Sequence, residues 1–191
     1  MIFHVLHAVL WTVPLMALLA SAWTDLKDRI IPNELVALVA LSGLGLGLLL
    51  RPDAIWISLL AAMLVLLVLG LAAHFGMMGG GDVKLISAAT LLVPPGYVGQ
   101  LIVFIALAGG LLSAGYLLAR LMVGNRPVGR SLLSAEAADG DCGGPGGWVS
   151  NECARIAAGG PMPYALAILG GVAITLAGEL SRCLSANFCS F

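Results

Sequence analysis

The charged residues of this 191-residue chain are so few and so clustered that five long uncharged runs lie between them. The runs are Met1–Thr24, Leu35–Leu50, Ala54–Gly81, Leu85–Ala119 and Ile156–Gly178. A helix crosses the ~30 Å apolar core of a bilayer in about 20 residues, and charges are costly at that depth. Only 10% of the residues are charged and 60% are hydrophobic, whereas soluble domains carry about 25% charged residues. A mean hydropathy of +1.05 and a net charge of −1 also argue against a disordered chain or a nucleic-acid binder. The expected class is an all-α, polytopic integral membrane protein.

Pro94-Pro95-Gly96 interrupts the fourth run. Proline removes a backbone donor and restrains the residue before it, so the triplet predicts a turn between two helices. Six transmembrane helices are expected, at 4–23, 33–50, 54–74, 82–93, 97–120 and 161–179. The first lacks a basic leading region and is longer than a signal-peptide core, so it is read as a retained helix. Lys27, Arg29, Lys84, Arg120, Arg126, Arg130 and Arg155 then fall on one side, and only Arg51 and Arg182 on the other. The positive-inside bias makes the first side cytoplasmic and places both termini outside. Residues 1–191 read as one membrane-embedded domain with a glycine-rich cytoplasmic loop at about 121–159. Within that loop Cys142 and Cys153 read as free thiols, while Cys183 and Cys189, on the outer side, could pair. No metal site is expected: the cysteines lack zinc-like spacing, and His4 and His7 face outward.

The residues that carry chemistry are acids beside the hydrophobic runs. Asp25 and Asp28 follow the first helix in Trp23-Thr24-Asp25-Leu26-Lys27-Asp28-Arg29-Ile30-Ile31-Pro32-Asn33. Asp82 follows Gly79-Gly80-Gly81 and precedes Val83-Lys84. Counting helices places Asp25 and Asp82 at the same, cytoplasmic end of the bundle. Asp28 reads as a solvated flank, and Asp82 taken alone could be a helix cap. Asp25 lies on the membrane side of the basic residues, where a carboxylate is expensive and marks function. The three glycines either permit close helix packing or leave room for another backbone, since they lack a Cβ. A protease needs the second arrangement to hold its substrate extended.

Asp25 with Ile31-Pro32-Asn33, and Gly79-Gly80-Gly81-Asp82-Val83-Lys84-Leu85, resemble the prepilin peptidases, membrane aspartic proteases of the GxGD class. Gly79, Gly81 and Asp82 fill the GxGD positions, and Pro161-Met162-Pro163-Tyr164-Ala165 is similar to a proline-tyrosine element in the last helix of these enzymes. The resemblance implies an enzyme of the bacterial inner membrane that removes the basic leader from type IV prepilin-like precursors, cutting after a glycine at the cytoplasmic face. It implies Asp25 and Asp82 as catalytic acids. Gly79, Gly80 and Gly81, lacking a Cβ, are the expected substrate-binding positions together with Lys84, which is also placed to snorkel to the interface, pair with lipid head groups or tune the site. The chain has no CxxC pair, so it looks like the short, peptidase-only members that serve Flp/Tad-type pili, with no cofactor and no methyltransferase activity expected. The expected partners are prepilin or pseudopilin precursors and membrane lipid.

Two carboxylates sharing a proton suit amide hydrolysis, one activating water while the other donates a proton. The helix macrodipole predicts Asp82, at a helix start, as the ionised member, and Asp25, at a helix end, as the protonated one. The alternative is a small transporter or proton channel, but such a relay wants polar groups along its whole path. Here both acids gather at one face.

Overall fold

A computed structural model of the chain describes residues 2–124 and 163–186, with side-chain detail for 11–118 and 163–178. All regular structure among the described residues is helical. The helices are α1 (Ile2–Asp28), α2 (Asn33–Leu50), α3 (Ile55–His74), α4 (Gly80–Thr90), α5 (Val98–Gly124) and α6 (Ala165–Ala186). Short 3₁₀ turns at Pro52–Ala54 and Pro95–Tyr97 precede α3 and α5. The loop expected at about 121–159 lies outside the described residues apart from 121–124, which continue α5; the side chains of Cys142, Cys153, Cys183 and Cys189 lie outside them as well.

The breaks fall where the backbone chemistry requires. Pro32 is extended (φ −61°, ψ 136°) ahead of α2, and prolines open both 3₁₀ turns. Gly76 takes the left-handed conformation (φ 73°) that ends α3, a conformation in which a Cβ is strained.

Asn33–Leu50, Pro52–His74 and Pro95–Leu118 are long and apolar enough to cross a membrane, and Ala165–Gly178 is a shorter apolar helix. α4 differs from the segment expected at 82–93. Its 11 residues rise about 16 Å, roughly half the apolar thickness, so it does not cross by itself. It is instead the buried centre of the fold. Val83 and every residue from Leu85 to Thr90 are buried, and α2, α3 and α6 all pack on it. A helix buried all round needs its polar groups satisfied from within. Ser87 donates to the carbonyl of Val83 (2.7 Å) and Thr90 to that of Ser87 (2.7 Å). α3 shows the reverse pattern, with Trp56, Ile57, Leu60, Met63, Leu64 and Leu67 exposed, as suits a helix whose solvent is lipid.

Contacts divide the chain into two units, Met1–Gly109 with Pro163–Phe191, and Gly110–Met162. The hydrophobic core lies in the first and includes Leu18, Val39, Leu85, Leu92, Leu101 and Ile168. Glycines allow close approaches within it. A Cβ on Gly43 of α2 would stand 2.9 Å from Leu91 Cβ, and one on Gly171 of α6 would stand 2.8 Å from the backbone nitrogen of Ile105.

Candidate active site

Three separate elements converge on Asp25. It occupies the last turn of α1, past the uncharged run, and is only 6% exposed. The backbone N–H of Ala165 donates to its Oδ2 at 2.9 Å. Ala165 is the first residue of α6, and such a position has an amide without a partner inside its own helix. Asp25 therefore caps a helix 140 positions away in sequence. Tyr164 secures this end, because its carbonyl accepts from the amides of Ala167 (2.9 Å) and Ile168 (3.2 Å). The Tyr164 ring lies against the backbone of α5: a Cβ on Gly109 would stand 2.6 Å from Cε2 and 2.8 Å from Oη.

Asp82 lies in the first turn of α4, close enough to Asp25 for the two charges to interact. Burial, and then the Asp25 charge, push its carboxyl up to about 6. Tyr164 lies within the field of Asp82, so the proline-tyrosine element reaches both acids. Burial also raises Asp25, but the Ala165 N–H and then the Arg29 charge oppose that rise.

These contacts reverse the order expected from the helix ends. The expectation counted only the dipole of the helix each acid belongs to. Asp25 also meets the positive N-terminus of α6, through a direct charge-assisted hydrogen bond, and a nearby guanidinium. A specific donor at bonding distance outweighs half a charge spread over a helix terminus. Asp25 is thus the better supported anion and Asp82 the better proton holder.

The glycines have three different environments. A Cβ on Gly79 would stand 2.9 Å from Asp82 Oδ2, so the carboxylate folds back over its own helix cap and needs that position bare. A Cβ on Gly81 would touch Ile31 Cβ at 3.4 Å, ordinary packing against the Ile31-Pro32-Asn33 segment. Gly80 is exposed and faces open space. Lys84, also exposed, donates from Nζ to Asn33 Oδ1 at 3.2 Å and so joins the two motifs. Lys27 and Asp28 are exposed. His74 is exposed too, its ring edge-on to Phe75 at 5.9 Å. Among the described residues no cluster of potential ligands could hold a metal ion.

The geometry predicts different outcomes at neighbouring glycines. Gly79→Ala should displace the Asp82 carboxylate and lower kcat by about tenfold, a modest share of the usual acid–base contribution. Gly80→Ala should leave Asp82 where it is. Equal kcat losses in both, measured on purified protein, would show that the Gly79 contact has no special role.

The family model for the type IV leader peptidase family matches residues 12–118, a stretch that contains both Asp25 and Asp82. The chain belongs to the type IV leader peptidase family. No curated protein and no solved structure matches it. The matched stretch contains the two acids, the glycines and the Lys84–Asn33 link, whereas Tyr164 and Ala165 lie beyond it. The donor on Asp25 escaped sequence reasoning because a backbone amide has no residue-type signature; the proline-tyrosine element around Tyr164 was the only pointer to it. Arg29 and Gly109 also escaped, since neither stands out without the fold.

Proposed function

We propose that this member of the family is an aspartic endopeptidase that cleaves type IV prepilin-like precursors after a glycine, using Asp25 and Asp82 and one activated water. The observation that carries this reading is the buried Asp25 carboxylate, held by the α6 amide within the electrostatic reach of Asp82. Asp25, as the anion, takes a proton from water as the oxygen attacks the scissile carbonyl. Asp82 donates its proton to the carbonyl oxygen, which stabilises the tetrahedral intermediate. On collapse, Asp25 passes its proton to the leaving amine and Asp82 regains one from the diol, so the pair ends as it began.

The substrate's backbone would run along the open side of Gly80, beside Gly79 and Gly81, with Lys84 bordering the site. Lys27, Arg29 and Lys84 lie in the segments that carry the two acids, and that local basic bias supports an active site on the cytoplasmic face of the inner membrane. A basic leader would lie on that side, with the precursor's hydrophobic stem in the bilayer.

Two measurements test the reading. Co-expression with a candidate prepilin should yield a mature pilin of higher mobility, and no processing of any such precursor would refute the assignment. The rate should also depend on pH through Asp82. Its proton is needed for catalysis and leaves near pH 6, so kcat/KM should fall about tenfold per unit above that point. In Asp25→Asn the neighbouring charge is gone, so the Asp82 titration, followed by carboxyl NMR, should move to lower pH.

A further inference from the structure

A helix that ends in the left-handed region normally places glycine or asparagine there, because a Cβ is strained in that conformation. α1 ends instead on an arginine. Arg29 has φ 56°, the sole positive φ outside glycine among the described residues. Its N–H still donates to the Asp25 carbonyl at 3.1 Å. The reversal also directs the side chain: Nε and Nη1 of Arg29 are shielded from solvent, while the flanking Lys27, Asp28 and Ile30 are exposed. A long cation therefore takes the place where the backbone would accept glycine more easily, with two of its guanidinium nitrogens buried. Strain of this kind gathers at functional sites when the surroundings enforce it.

We propose that Arg29 is a positioning residue, placed by its left-handed turn so that its guanidinium holds the Asp25 carboxylate as the oriented anion that activates water. The inference rests on the reading of Asp25 as the catalytic base. The guanidinium acts on Asp25 as an opposite charge, and arginine suits the task because it is planar and charged at every working pH. The other groups acting on or beside Asp25 are the Ala165 amide at the start of α6 and Asp82 of α4, and Tyr164 in turn lies in the field of Asp82. None of them is contributed by Arg29, so a change there should leave them in place; Lys27, Asp28 and Lys84 are exposed and screened.

The test uses the full-length chain in phospholipid nanodiscs with a prepilin precursor, comparing the parent with Arg29→Gly and Arg29→Lys. Glycine relieves the turn, so Arg29→Gly should match or exceed the parent Tm. Its kcat should nevertheless fall about tenfold with KM within about twofold, and the acidic limb of the pH profile should move to higher pH by about half a unit. Arg29→Lys keeps the charge and should recover most of the rate and the original limb. If Arg29→Gly folds poorly, Arg29→Asn serves, since asparagine tolerates the same backbone. Parent-like kcat and acidic limb in the glycine variant would overturn the proposal, as would a loss confined to KM. If the parent cuts no precursor, the peptidase reading fails and Arg29 is still decided by carboxyl NMR. Asp25 titrating at the same pH in the parent and Arg29→Gly overturns it, and a rise in the variant upholds it.

Discussion

Asp25→Asn and Asp82→Asn should each slow leader removal by at least about 10³-fold, because an amide can neither take a proton from water nor return one. Neither change should unfold the protein. In Asp25→Asn the side-chain carbonyl oxygen would still accept the Ala165 amide that Oδ2 accepts now, so the end of α6 keeps its cap. Each substitution also removes one of two interacting, partly buried like charges. The Tm should therefore be no lower than that of the parent. Purified variants in nanodiscs would be compared by cleavage rate and thermal melting. An acid whose variant retains more than about 1% of the parent rate at normal stability has no place in the mechanism. Asp28→Asn is the control, since Asp28 is exposed and should tolerate the change.

Ala165→Pro should lower kcat by about 100-fold while leaving α6 intact. Proline is well tolerated at the first position of a helix, where the amide has no intrahelical partner to lose. In this protein that amide has a partner in Asp25, at 2.9 Å. Proline removes the donor and puts its own Cδ where the hydrogen pointed, so the carboxylate loses both its support and its place. A hydrogen bond to a charged group contributes about 1.5–3 kcal/mol, and a misplaced base adds to that loss. Ala165→Gly retains the amide and should keep a near-parent rate. Equal losses in the two variants would indicate packing rather than the hydrogen bond.

The helical membrane class was legible because it follows from one-dimensional information. Charge-free runs state directly which stretches can lie in lipid, and Pro94-Pro95-Gly96 marks a break through proline's own backbone limits. The expected segments at 33–50, 54–74 and 97–120 accordingly coincide with membrane-length helices to within a few residues. α4 could not be judged in that way. Hydrophobicity alone does not separate a helix facing lipid from one buried among other helices, and only packing shows that α4 is enclosed from Leu85 to Thr90.

The acids divide along the same line. Their identity as candidates came from local sequence, in which Asp25 lies inside the basic flank and Asp82 follows three glycines. Their electrostatic order came from the fold. The amide of Ala165, the guanidinium of Arg29 and the neighbouring charge on Asp82 act through space, and Coulomb energy depends on separation, not on distance along the chain. Three membrane-length helices, the proline break before α5 and the two carboxyl groups to follow were legible in the residues alone. Tertiary structure alone decided which of them is held as the anion, because that depends on a donor 140 positions away.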